Sequence, residues 1–316
     1  MHIITTALIF LIPFISLSQT NTFRVIVSEG MPAGFEIGKE VTVDTIEIPE
    51  SGYLGLVNQS EQLLELTKAG VYEVSALENR LSDLENTSIE PYLNFILDES
   101  DPQKVDTINF AERYPHLRLT GSASHPISRN RNRAIVQFQP LRYPSNLIPL
   151  KRMNNSYIGD FVALRWTVNK EVRDFDLNRL SGEYKVTIAS FAEKEIVSFE
   201  TKDTTFLIDR NNERVTKEMY LVRVSDAEDE SIHTGFTPIK PMSEKYAKQP
   251  LKAFEKIPKE NTALAALVRA KFFEQQGLLG DAMAAYTQAA LLAPEVATYQ
   301  NMLNAFLKRA RMDRIR

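Results

Sequence analysis

The stretch TALAALVRAKFFEQQGLLGDAMAAYTQAALLAP, Thr262 to Pro294, decides how the rest of the chain is read. Ala263, Leu264, Ala266, Leu267, Ala270 and Phe273 recur at helical spacing, and Asn261-Thr262 just before them can cap a helix start. Gly277 and Gly280 are expected to break that helix. A second helix is predicted from Asp281, a good cap, through Ala282, Ala285, Tyr286, Ala289 and Ala290. Pro294 ends it, because proline lacks the N–H and its ring clashes with the preceding turn. Small residues at Ala270, Ala282 and Ala289 let two helix backbones come close. Phe273 and Tyr286 fill the space that remains, each contributing about 1.5 to 3 kcal/mol when fully buried.

This spacing resembles the tetratricopeptide repeat, which has a small residue and an aromatic three positions later on its first helix, then Ala-x3-aromatic and a closing Pro on its second. The matching positions are Ala270 with Phe273, Ala282 with Tyr286, and Pro294. Ala266 and Arg269 depart from the family, which prefers Trp and Leu there. The resemblance implies a module that holds other polypeptides; the alternative is an ordinary helical hairpin with no ligand groove. One hairpin cannot bury its own faces, and about three stacked repeats are needed for independent stability. Either flanking helices at Met242 to Ile257 and Ala297 to Arg311 complete it, or a second chain does. In the latter helix Tyr299, Leu303, Phe306 and Leu307 form the apolar stripe.

Upstream the patterning is that of short strands. From Phe23 to Val74 five runs (Phe23–Val27, Val41–Ile48, Tyr53–Val57, Leu63–Leu66, Tyr72–Val74) are punctuated by Gly30, Gly34, Gly38, Gly52 and Gly70. The segment Gly52-Tyr53-Leu54-Gly55-Leu56-Val57, then Leu63-Leu64-Glu65-Leu66 and Lys68-Ala69-Gly70-Val71-Tyr72, resembles the FecR-like periplasmic β domain. That resemblance implies an envelope module used in sensing or assembly. Val74, Leu77, Leu81 and Leu84 predict a helix of about three turns, and Ile89 to Leu97 a second one capped by Ser88. Asp98 to Asp106, acidic and containing Pro102, reads as a linker.

Between about Leu117 and Pro241 strands return, at Ile135–Phe138, Phe161–Val168, Tyr184–Phe191, Ile196–Thr201, Thr205–Ile208 and Met219–Val224. Val162, Leu164 and Trp166 share one face of a strand; Tyr184, Val186 and Ile188 share one face of the next. The arrangement resembles a fibronectin type III or immunoglobulin-like sandwich, with Trp166 and Tyr184 in its core. Trp166, the single tryptophan, is then a core plug and not a ligand platform.

The chain begins with a hydrophobic run, Ile3 to Leu17, followed by Ser16-Leu17-Ser18 before Gln19. This predicts a secretory signal over 1–18, with an uncleaved anchor as the alternative; the run is shorter than the roughly 20 residues of a membrane span. The sequence has no cysteine, so an exported form gains nothing from disulfides. The net charge of −4, with both signs interspersed, favours neither nucleic acid nor an anionic membrane surface. The basic end, Lys308, Arg309, Arg311, Arg314 and Arg316, is expected to complement a helix C-terminus.

Catalytic and metal patterns are sparse. His2, His116, His125 and His233 include no pair at ligand spacing, and no cysteine assists them. Gly121-Ser122-Ala123-Ser124-His125 lacks the G-x-S-x-G elbow. Asp226, Glu228, Asp229 and Glu230 cluster without calcium-loop spacing, and Arg129, Arg131 and Arg133 read as a polar loop. In a eukaryotic source Asn58-Gln59-Ser60, Asn86-Thr87-Ser88 and Asn154-Asn155-Ser156 would be glycosylation candidates.

The resulting expectation is a multidomain, mainly β chain with a helical end. Its parts are a signal (1–18), a FecR-like β domain (19–87), a helix and linker (88–112), an immunoglobulin-like sandwich (113–241) and a tetratricopeptide-like helical region (242–316). The function expected is that of an exported, non-catalytic adaptor or scaffold of a bacterial cell envelope, periplasmic or envelope-associated. Its protein partners would dock through the helical region, with no cofactor, metal or nucleic acid involved. A periplasmic sensor is the alternative, and a hydrolase with scattered carboxylates is the third possibility.

Overall fold

A computed structural model of the chain describes residues 22–81, 89–100, 136–138, 156–168, 180–215 and 218–310. Its content is mixed, with several small antiparallel sheets and, toward the C-terminal end, four successive helices. The signal, the 98–106 linker beyond Ser100, His116, the Gly121–His125 run, Arg129, Arg131 and Arg133, Asn86 and Asn154, and the tail from Arg311 lie outside the described residues.

The N-terminal unit holds β1 (Arg24–Glu29), β2 (Thr45–Ile48), β3 (Tyr53–Val57), β4 (Leu63–Leu66) and β5 (Gly70–Glu73), in sheets β1-β3-β4 and β2-β5. All five residues of β3 are buried, because both its faces are covered. Leu54 and Leu56 point one way, into a core with Val25, Ile46, Ile48, Leu64 and Leu66, closed by Leu77 and Leu81 of helix α1 (Val74–Leu81). Tyr53 and Val57, offset by one residue, point the other way into a second core shared with the C-terminal helices. An irregularity in the β1–β3 register between Val25 and Val27 lets consecutive Ile26 and Val27 both join that second core. Helix α2 (Glu90–Ser100) adds Tyr92, Leu93 and Ile96.

The middle unit holds β6 (Val136–Phe138), β7 (Ser156–Tyr157), β8 (Phe161–Val168), β9 (Tyr184–Ala189), β10 (Glu195–Thr201), β11 (Thr205–Asp209), β12 (Tyr220–Asp226) and β13 (Thr237–Pro241). They form a sheet ordered β10-β9-β12-β13-β7 and another ordered β11-β8-β6, antiparallel except for β13–β7. Val162, Leu164 and Trp166 of β8 share a core with Tyr184, Val186 and Ile188 of β9 and Tyr220, Val222 and Val224 of β12. The alternate residue Ala163, with Phe161 and Leu207 beside it, faces the helices instead.

The last unit is α3 (Glu244–Phe254), α4 (Ala263–Gln275), α5 (Leu279–Leu292) and α6 (Ala297–Arg309). Thr262 caps α4 by accepting from the Ala265 N–H. Gly277, at φ +72, closes α4 in a Schellman turn, with Leu278 N–H donating to Phe273 O and Gly277 N–H to Glu274 O. The second helix begins three residues earlier than its sequence predicts: its cap position is Leu278, Gly280 lies in the first turn of α5, and Asp281 is not its cap. The reason is tertiary, since the Asp281 carboxylate is engaged by another part of the chain.

Candidate functional site

The hairpin α4–α5 is the candidate site, and the chain buries it almost completely. Every residue from Ala263 to Glu274, and from Leu279 to Ala289, is buried. Ala270, Phe273, Ala282, Tyr286 and Ala289 are all interior, while Pro294 lies exposed just after α5. The covering surfaces come from both β units and the flanking helices. On one side the β1-β3-β4 sheet lies against α4. There a Cβ added to Gly55 would come within 3.3 Å of the Leu264 side chain, so glycine permits that approach. Tyr92 of α2 meets Phe272 edge-on at 5.9 Å, and Phe254 of α3 lies 5.0 Å from the Phe273 ring. On the other side Tyr286 stacks on Phe306 of α6 at 4.9 Å.

Charged groups that the apolar pattern conceals tie these helices together. Glu274 is buried and takes two bonds from Arg309 of α6, Nε to Oε1 at 3.0 Å and Nη2 to Oε2 at 3.1 Å. Tyr286 donates its hydroxyl to Glu274 Oε2 at 2.6 Å, and Lys271 Nζ lies 3.7 Å from the same oxygen and over the Tyr286 ring. Burial alone would raise the Glu274 pKa; the Arg309 and Lys271 charges and the Tyr286 and Arg309 hydrogen bonds outweigh it and hold the carboxyl well below its ordinary range. Arg309 therefore serves as a core partner, and not as the helix-terminal charge its position suggests. Arg269, where the repeat family prefers Leu, donates to the carbonyls of Pro258 and Glu260 and to Gln288 of α5. It fixes the segment leading into α4 against the hairpin.

Two further contacts join the β units to the helices. Glu65 of β4 accepts from the Leu264 N–H at the start of α4, and burial raises its pKa. Asp281, 1% exposed, accepts through Oδ1 from the N–H groups of Ile158 (3.1 Å) and Gly159 (2.8 Å), in the turn between β7 and β8. Arg210 grips the same turn, donating Nη1 to Gly159 O at 2.7 Å and its backbone N–H to Asp160 O at 2.8 Å. A Cβ on Gly159 would stand 3.0 Å from Asp281 Oδ1, so a larger residue there would push on the carboxylate.

The other sequence candidates divide clearly. Trp166 and Tyr184 meet edge-on in the middle core at 5.5 Å. Asp226 is buried and accepts from the backbone of Ser181, Glu228 and Asp229 and from the Ser181 hydroxyl. Burial opposes its ionisation, but those donors prevail and keep its pKa low. Glu230 pairs with Lys185 at 2.8 Å and Arg223 at 3.3 Å. Asp226 and Glu230 thus tie their loop to its neighbours, and among the described residues no group of three or more His, Cys, Asp or Glu is arranged to hold a metal. His233 Nδ1 lies 2.5 Å from Thr234 O. Asn58 is buried with its amide bonded at both ends to Gln62, which leaves no access for a glycan. Among the described residues no helix is long and apolar enough to cross a membrane.

The buried charges left one trace in the sequence: Arg269, Lys271 and Glu274 fall within a helix whose other faces are all apolar. Asp281 left none, because its partners are backbone groups some 120 residues away. Compared with known families and with curated proteins, the chain matches no family model and no curated relative.

Proposed function

We propose that this chain is an exported, non-catalytic adaptor of a bacterial cell envelope, built from a FecR-like β unit, an immunoglobulin-like sandwich and a tetratricopeptide-like hairpin. The sandwich reading is supported by the core that two sheets share around Trp166 and Tyr184. The hairpin's apolar faces are used within the chain, so a partner must meet the helical region on what remains outside. The observation that carries the reading is Leu291 and Leu292, 62% and 40% exposed at the end of α5, where the hairpin emerges from its coverings. Exposed leucines side by side, at the end of a helix otherwise largely buried, suit a protein contact.

The test is capture from envelope extract with the full chain and with the Leu291→Asp/Leu292→Asp variant, each first checked for an unchanged circular dichroism spectrum. One defined partner is expected, bound by the wild type, rebuilt from purified components and lost in the variant. Equal binding by both chains would remove the helical end from the proposal.

A sensor is the second reading, favoured by the Glu65–Leu264 contact, through which the FecR-like unit touches the start of the hairpin. A relay would pass through it. Glu65→Gln should then blunt a transcriptional response while partner capture persists; an unchanged response would retire the relay.

A further inference from the structure

We propose that the contact between Asp281 and the Ile158–Gly159 turn is a proton-controlled latch between the helical core and the middle β unit, closed in acid and loosened as the pH rises to neutral. The geometry is unusual for a carboxylate. Asp281 is fully enclosed; Oδ1 has two N–H donors, but Oδ2 has no hydrogen-bond partner. A buried carboxylate with half its acceptor capacity unused is penalised when charged and tolerated when neutral. Its fellow acid at a joint, Asp226, has four donors and shows what full satisfaction looks like.

The charged and titratable groups around the latch come from each element packed against it. Arg210, after β11, favours the ionised form from across the turn. Tyr157 of β7 packs its ring against Gly280. Asp160 in the turn and Arg269 of α4 interact with one another nearby. Burial dominates over Arg210 and the two N–H donors, and the Asp281 pKa is pushed up from 3.8 to about 7.

In the open state water reaches the carboxyl, which ionises near 3.8; in the closed state it keeps its proton to about 7. The closed state therefore binds more protons throughout that window. Its advantage is complete below 3.8 and is lost as pH rises to about 7, the opening constant growing by up to roughly tenfold per pH unit and then levelling off. Opening releases the Ile158 and Gly159 amides, while Arg210 still holds the Gly159 carbonyl, so the turn loosens without leaving its place.

Hydrogen exchange at the Ile158 and Gly159 amides of the full chain, corrected for intrinsic rates between pH 4.5 and 8, tests the latch. The expected result is protection that falls with rising pH to a plateau near 7 in the wild type, and a flat profile in Asp281→Asn, which cannot ionise. A flat wild-type profile, or the same slope in both chains, overturns it. Should Asp281→Asn fail to fold, carbon NMR of the wild-type Asp281 carboxyl decides alone: a midpoint near 7, shared by the Ile158 and Gly159 amide shifts, supports the latch, and titration below pH 5 overturns it.

Discussion

The phenol oxygens of Tyr53 and Tyr299 lie 2.5 Å apart in the core, although 246 residues separate them in the chain. Their rings meet edge-on at 5.7 Å. Burial pushes both phenols above their ordinary pKa, so both keep their protons and one donates to the other. The pair joins β3, near the start of the chain, to α6 near its end.

Tyr53→Phe or Tyr299→Phe removes the bond between the two phenols and should cost about 1 to 3 kcal/mol each, Tyr53→Phe the more because the Tyr53 hydroxyl also bonds Glu65. The double Phe variant should cost less than the sum, because the bond between the two oxygens is lost only once. Urea unfolding of the four chains measures the coupling. Strict additivity would mean the two oxygens do not interact.

Arg309→Met takes both guanidinium bonds from the Glu274 carboxylate and leaves it with Tyr286 and Lys271, and the expected loss is about 1.5 to 3 kcal/mol. The pair also sets a pH limit. Glu274 is held below its ordinary 4.5, so its contribution is present above that value and is lost as pH falls below it. Glu274→Gln should lower stability at neutral pH and flatten the acid limb of a melting-temperature profile. An acid limb unchanged from wild type would contradict this.

Ala282 has no exposed surface, and the middle β unit and helices α4 and α6 press on its helix. Ala282→Glu adds volume and an unpaired charge there, a loss expected to exceed about 4 kcal/mol. Size-exclusion chromatography and circular dichroism should report an unfolded or aggregated chain; a folded monomer would disprove the tight packing.

Trp166 is the only tryptophan and is enclosed beside Tyr184, so its emission reports on the middle core alone. Emission should be blue-shifted in the native chain and move red on unfolding. Trp166→Ala should cost about 3 to 5 kcal/mol. Trp166→Phe should cost less, because Trp166 Nε1 has no hydrogen-bond partner to lose.

Much of the local structure is legible in the sequence because it depends on neighbours in the chain. Alternation in Tyr53 to Val57 gives a strand, Thr262 a cap, Gly277 a stop, and the Trp166 and Tyr184 strands their inward faces. The beginning of α5 does not follow from local signals, because Asp281, the residue most suited to cap it, is drawn to the Ile158–Gly159 backbone instead.

By itself the sequence determined most of the strands and helices of these units, though not β7 or β13, and the small-residue hairpin from Thr262 to Pro294. Only the tertiary structure decided what that hairpin is for within the chain. An apolar helix pair records that it must be covered, since its burial stabilises any close-fitting surface alike. It does not record by what: sheets from both β units and three flanking helices cover it, fixed by Tyr53–Tyr299, Glu65–Leu264, Glu274–Arg309 and Asp281–Gly159. Such contacts are specified by distance and direction in space, and residues far apart in the chain carry no mark of one another.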